Sequence, residues 1–340
     1  MSAPVAIDAR AAVREETGGV ERVAREMARR LPALRPGRYE VIAPRPRLAH
    51  RAGHAWEQIA LPLAARRAEL VYCPANLAPL ASRRNVVVIH DVAALAQPEW
   101  YGRVYVAWQR VVLPRIARRA RLVITVSEFA KAEIAERLGV PGERIAVVPN
   151  GVSEIFSPTA DPQTAKGALG LERPYVLAVS TRIARKNLRL LAGAAGALKD
   201  RGVELVSAGS GRTYMKAGEP APGRALGYVP EALLPGLYAG AEALAMPSVY
   251  EGFGMPVIEA MASGTPVVAS DRAALPEVCG GAAILADPDD PDAFADALLR
   301  AIGPERERLV AAGLERAASF DWNESARLTD DAIGELLQRS

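Results

Sequence analysis

Short apolar runs alternate with amphipathic stretches along almost the whole chain. In the first half Val5–Asp8, Tyr39–Ala43, Leu70–Cys73, Val86–His90, Leu122–Val126 and Ile145–Pro149 read as strands. Helical spacing falls between them, over Val20–Leu31 and roughly over 98–120 and 127–138. After a polar, Pro-containing stretch the pattern starts again. Tyr175–Ser180, Glu204–Ala208, Ala225–Tyr228, Ala243–Pro247, Thr265–Ser270 and Ala282–Leu285 are the strands of the second half. Strands separated by helices imply parallel βαβ units, so each half predicts a doubly wound α/β sheet. The turn sequence Pro149-Asn150-Gly151-Val152, with the polar run to Lys166, predicts the linker. The expected domains are 1–158, joined by a closing helix over 322–340, and 166–320.

Length agrees, since 340 residues suit two domains better than one core. Half the residues are hydrophobic, which excludes a disordered chain. Net charge is only +3, but residues 1–165 hold 24 Lys and Arg against 16 Asp and Glu. A basic first half facing an anionic partner is one explanation, and an arginine-rich background is the other. Two distant cysteines and three histidines supply no usual metal-site spacing, so the reading is reduced thiols and no metal. Arg10, Arg14, Glu15 and Glu16 interrupt any apolar leader, and no run has the length of a membrane span. A cytoplasmic location is expected.

The candidate chemistry lies on loops after strands. Glu251 and Glu259 stand eight residues apart, flanking Gly252-Phe253-Gly254-Met255-Pro256. A strand, this loop and a helix beginning near Pro256 would aim backbone N–H groups and a positive dipole end into a crevice. Glu251 at the mouth and Glu259 in the first turn could then hold different hydroxyls of one elongated polar ligand. The same residues are also compatible with an ordinary acidic helix start. Arg185-Lys186-Asn187 follows another strand and precedes a Leu-rich helix, where two cations oppose the dipole unless an anion joins them. Gly18 and Gly19 precede the first helix and permit close approach of backbone to phosphate or sugar oxygens. His90-Asp91 ends a strand, a position equally open to a structural histidine. Asp287-Pro288-Asp289 reads as a helix cap rather than a metal motif.

Residues 247–278, P-S-V-Y-E-G-F-G-M-P-V-I-E-A-M-A-S-G-T-P-V-V-A-S-D-R-A-A-L-P-E-V, resemble the E-x7-E segment of glycosyltransferase family 4, retaining nucleotide-sugar enzymes of the GT-B fold. The R-K-N element, the T-G-G loop at residues 17–19, the H-D segment and Ser127-Glu128-Phe129 are similar to that family's other elements. Ser180 and Thr181 stand where the family usually has Gly and sometimes Arg, which shifts weight onto Arg185.

The resemblance implies two Rossmann-like domains facing across a cleft, an acceptor side in the first and a donor side in the second. It implies Arg185 and Lys186 at the donor diphosphate, and Glu251 with the amides of Phe253, Gly254 and Met255 at the sugar. Glu259 falls near the ribose, Gly18 and Gly19 contact the donor, and His90 faces the transferred sugar without serving as a general base. No cofactor or metal is implied. The donor would be a nucleoside diphosphate hexose, GDP-mannose favoured over UDP-glucose, and the acceptor a hydroxyl of a glycan, a lipid-linked sugar or a small molecule, with no nucleic acid involved. A sugar phosphorylase and a non-catalytic sugar-binding protein are the alternatives. A nicotinamide oxidoreductase is opposed by the lack of G-x-G-x-x-G after the first strand. Trp100, Tyr101, Tyr105 and Trp108 among arginines between Pro98 and Leu122 suggest a peripheral membrane surface or, preferably, a hairpin with its aromatics packed inward.

Overall fold

The computed structural model describes residues 4–14, 18–45, 49, 53–180, 183–209 and 222–338. Two compact units emerge. Unit 1 comprises Met1–Ala96, Val104–Gly151 and Trp322–Ser340, and unit 2 comprises Gln97–Arg103 and Val152–Asp321. The chain therefore changes unit between Gly151 and Val152, inside the predicted turn. The polar stretch that follows contains a helix, Pro162–Leu169, started by Asp161, whose carboxylate accepts from the amides of Gln163 and Thr164.

Unit 1 is a six-stranded sheet in the order β2-β1-β3-β4-β5-β6. Its strands are β1 (Val5–Asp8), β2 (Tyr39–Ile42), β3 (Val71–Cys73), β4 (Asn85–Val88), β5 (Leu122–Thr125) and β6 (Ile145–Val147), all paired in parallel. Unit 2 has the order β12-β11-β10-β7-β8-β9. Its strands are β7 (Tyr175–Val179), β8 (Glu204–Ala208), β9 (Arg224–Gly227), β10 (Ala243–Met246), β11 (Val267–Ser270) and β12 (Ile284–Ala286), again all parallel. β1, β4, β10 and β11 are buried along their whole length, as parallel strands covered on both faces must be. Each sheet reverses its winding once. The reversal lies between β1 and β3 in unit 1 and between β7 and β10 in unit 2, and ligands of such sheets collect at the carboxyl ends of those strands.

The last helix, Trp322–Gln338, packs with unit 1. Trp322 is buried, Tyr39 donates its hydroxyl to Asp330 at 2.6 Å, and Arg35 pairs with the same carboxylate at 2.9 Å. Ser325 donates to the carbonyl of Pro149 at 2.6 Å, tying the helix to the turn where the chain leaves the unit.

The arginine-rich stretch is one helix only from Arg103 to Arg119; Pro98–Trp100 is a separate 3-10 turn, and Tyr101 is extended. Val106, Gln109, Leu113, Ile116 and Ala117 form its buried face, Trp108 packs on the unit 1 core, and Arg103, Arg110, Arg115, Arg118 and Arg119 are exposed. Among the described residues, no helix is long and apolar enough to cross a membrane. The Asp287–Asp289 reading needs correction. Asp290 is the cap of the next helix, accepting from the amides of Asp292 and Ala293, while Asp287 accepts from the Asp289 amide and pairs with Arg272 at 3.0 Å. A cap must sit one residue before the helix, and the helix starts at Pro291, too late for Asp287 or Asp289.

Candidate active site

β7 and β10 flank the winding reversal of unit 2, so the segments leaving their carboxyl ends are neighbours despite lying some seventy positions apart. The segment after β7 carries Ala184–Lys186 as a 3-10 turn. Thr181 and Arg182 lie outside the described residues. Asn187 then adopts a left-handed conformation (φ 49°), and its amide side chain donates to the Pro288 carbonyl at 2.8 Å. The Leu-rich stretch continues as a second 3-10 turn, Leu188–Leu191, before the α-helix Ala192–Asp200. The two cations thus do not start an α-helix, and the dipole conflict read from the sequence does not arise.

A carboxylate balances them instead. Lys186 donates to Oε1 of Glu251 at 2.6 Å, and Arg185 Nη1 meets Oε2 at 3.0 Å. All three side chains are largely buried. Arg185 also fixes the main chain of the glutamate loop. Its Nη1 donates to the Tyr250 carbonyl at 2.6 Å, and its own carbonyl accepts from the Val249 amide at 2.9 Å. Burial alone would raise the Glu251 pKa, but the Lys186 ammonium and the Arg185 guanidinium overcome it and bring it down to about 2. The carboxylate is therefore ionised at neutral pH, and the triad carries a formal charge of +1.

The loop closes through Gly254, at φ 101°. A Cβ there would stand 2.8 Å from Leu275 Cδ2, so the turn requires glycine on both backbone and packing grounds. The helix Met255–Ala262 follows immediately, with Pro256 in its first turn. Glu259 is one residue deeper than the sequence suggests, just past the first turn, because the helix begins at Met255. It is buried and accepts the Tyr238 hydroxyl at 2.8 Å. Phe253 is also buried, its ring edge-on to Phe320 at 5.6 Å, which leaves its backbone as the part able to face a ligand. Tyr238 escaped the sequence reading. The one general signal was that a buried tyrosine hydroxyl needs a partner.

Unit 1 presents His90, Gly18 and Gly19 near the carboxyl ends of its own strands. β4 ends at Val88, so His90 lies two residues past the strand. Its Nε2 lies 2.9 Å from the Pro74 carbonyl, and its amide donates to Asn76 Oδ1 at 2.8 Å. A carbonyl partner assigns the proton to Nε2 and makes Nδ1 the acceptor of the neutral ring. Burial lowers the His90 pKa, which favours that neutral form. Gly18 is the N-cap of the helix Gly19–Leu34, and its N–H donates to Glu21 Oε2 at 3.1 Å, the glutamate half of a capping box. Arg14 pairs with the other Glu21 oxygen at 3.4 Å. The glycine-to-glutamate spacing, Gly18 to Glu21, is the sequence signal of that capping contact. Thr17 lies outside the described residues.

A further charged group in unit 1 gave no sequence signal. Arg10 forms a fully enclosed pair with Glu57 at 2.9 Å, and its amide donates to the buried Asp8 at 2.9 Å. Burial is the main reason the Glu57 pKa is pushed up to about 7, with Asp8 adding to the rise and Arg10 opposing it.

Comparison with known proteins assigns this architecture. The description "Glycosyltransferase Family 4" matches residues 17–154, and "Glycosyl transferases group 1" matches residues 173–303. The O-antigen chain mannosyltransferase B of Escherichia coli is 32% identical over 274 residues, covering 73% of this chain and 70% of that protein. The chain belongs to glycosyltransferase family 4. The MMP alpha-(1->4)-mannosyltransferase of Mycolicibacterium hassiacum is 33% identical over 246 residues, covering 68% of this chain and 56% of that one. The sucrose-phosphate synthase of Thermosynechococcus elongatus superposes with a TM-score of 0.75 at 20% identity, over 99% of this chain and 100% of that one. The fold of this family 4 glycosyltransferase is accordingly GT-B.

Proposed function

We propose that this hexosyltransferase moves a mannosyl group from GDP-mannose to a hydroxyl of a glycan acceptor, with retention at the anomeric carbon and without a metal ion. The observation that carries the reading is the Glu251 carboxylate bridging Arg185 and Lys186 at the winding reversal of unit 2. The two cations suit the donor diphosphate, whose charge grows as the glycosidic bond breaks. Glu251 accepts hydrogen bonds from sugar hydroxyls, assisted by the amides of Phe253, Gly254 and Met255. Glu259 accepts from the ribose diol. Gly18 and Gly19 border the donor in unit 1, with the Gly19 N–H as the contact because Glu21 holds that of Gly18. Neutral His90 accepts a sugar hydroxyl through Nδ1 and is no general base.

In the proposed step the bond from the anomeric carbon to the β-phosphate oxygen breaks, and the bond to the acceptor oxygen forms on the same face. The acceptor proton passes to the departing phosphate. Unit 2 then serves the donor and unit 1 the acceptor. Mannose is favoured because both named sequence relatives are mannosyltransferases; UDP-glucose is the alternative donor. The decisive experiment supplies each nucleotide sugar with a glycan acceptor in EDTA and reads the product anomer by NMR. An α-linked product from an α-linked donor is expected, undiminished by chelation. Inversion, or a requirement for added Mn²⁺, would remove the mechanism.

A peripheral membrane contact at the inner face of the cell membrane is a second reading. Val104 is 85% and Val111 52% exposed, one beside Arg103 and the other beside Arg110 on the same helix. Co-sedimentation with anionic but not neutral vesicles, lost in Val104→Glu, is the expected result.

A further inference from the structure

Seven residues of the first half of the chain belong to unit 2. Gln97–Arg103 leaves unit 1 seven residues after His90 and returns to it at Val104. Its neighbours on both sides are anchored in unit 1, since Val92 before it and Leu113 after it are part of that unit's buried core. One contact that the segment makes in unit 2 falls on the residue before Glu251. The Trp100 ring stands edge-on to Tyr250, with centroids 6.4 Å apart and planes at 68°. This is a favourable arrangement for an aromatic pair.

Tyr250 is buried and directly precedes Glu251. Its carbonyl is held by Arg185 Nη1 at 2.6 Å, so the main chain is fixed on one side by a cation and its ring on the other by Trp100. The carboxylate that bridges Arg185 and Lys186 is the next side chain. We propose that Trp100 is a positioning residue for Glu251, acting through the Tyr250 ring to hold the sugar-facing loop in register. The ring that Trp100 meets is that of Tyr250, the neighbour of Glu251, so its loss should disturb the sugar end of the donor site and spare the phosphate end. A misplacement of the carboxylate by about 1 Å is enough to cost on the order of a hundredfold in rate.

The inference rests on the donor-site reading given above. The test uses the full chain and measures steady-state transfer, together with calorimetric binding of bare GDP and UDP. Trp100→Ala is expected to lower kcat about tenfold while the Kd of the bare diphosphate stays within about twofold of wild type. Trp100→Phe, which keeps a ring against Tyr250, is expected to recover most of the rate. In a Tyr250→Ala background, Trp100→Ala should cause little further loss, because the pair acts as one unit. Should the alanine variant melt below the assay temperature, Trp100→Leu is read in its place. An unchanged kcat, additive losses in the double variant, or diphosphate binding that weakens in step with kcat would each overturn the proposal. If wild type itself transferred no hexose from any donor, the donor-site reading would fall and this inference with it. A wild type that transfers hexose alongside an unaffected Trp100→Ala would sink this inference alone.

Discussion

At Glu251 one carboxylate faces two cations inside the protein, and the geometry sets apart what each variant should do. Lys186→Ala removes a cation that the proposed function assigns to the diphosphate, so binding of bare GDP or UDP should weaken clearly. Its kcat should fall on the order of a hundredfold, the usual cost of losing one charge-stabilising donor. Glu251→Gln removes the negative charge paired with Arg185 and Lys186, which on the proposed function would compete with the diphosphate for them. Bare diphosphate should then bind as well as before or more tightly, while transfer collapses. Calorimetry on both variants decides, and equal weakening would mean the phosphate and sugar ends are misassigned. Glu57 gives a residue-scale expectation for pH. Its folded pKa of about 7 lies above the ordinary carboxylate value near 4.3, so the folded state binds the extra proton between them. Its contribution to stability is complete below the unfolded value and is lost as pH rises through 7. Denaturant titrations of wild type and Glu57→Gln should therefore show an advantage of wild type that shrinks from pH 5 to pH 7 and is level above. The neutral His90 has the opposite sign, but it is present in both proteins and cancels. The residues of the Arg185, Lys186 and Glu251 cluster were legible in the sequence as candidates. Their mutual pairing was not, because Arg185 and Glu251 are 66 positions apart and only the strand order makes them neighbours.

At the scale of elements, the twelve strands among the described residues were legible to within about two residues at each end. The inner strands are buried on both faces and so continuously apolar, while β2 and β9 at the sheet edges are partly exposed. Helix starts were less legible. The R-K-N element became two 3-10 turns rather than a helix N-terminus, with Asn187 bent left-handed and tied to Pro288. The helix after the glutamate loop began earlier than read, which moved Glu259 out of the first turn. Gly254 explains that shift, because a left-handed residue there turns the chain at once into the helix. Gly254→Ala combines a strained φ with a clash against Leu275 and should cost about 1–3 kcal/mol. Its larger effect should be on transfer, because the amides around it are the ones proposed for the sugar. A variant with wild-type kcat would show that this turn does not shape the site.

At the scale of the whole molecule, the closing helix is held by partners distant in the sequence. Trp322 is buried beside Val23, Met27 and Tyr72, and Asp330 gathers Arg35, Arg38 and Tyr39. Trp322→Ala should cost about 3–5 kcal/mol, as large aromatic truncations in cores do. Calorimetry should show that loss in the transition of unit 1, with that of unit 2 nearly unmoved; a shift confined to unit 2 would contradict the packing. The sequence by itself determined the alternation of strands and helices, hence two doubly wound sheets, and it determined which loops carry charged residues and glycines. These are local properties, written in the burial of successive side chains and in the conformations glycine alone allows. The tertiary structure decided which loops meet. The winding reversal between β7 and β10 sets Arg185 and Lys186 on Glu251, and the detour of Gln97–Arg103 sets Trp100 on Tyr250. The physical reason is that a charge or ring on a loop carries no local mark of its partner. The partner is fixed by the order in which buried strands pair, and that order is settled by packing across the whole sheet.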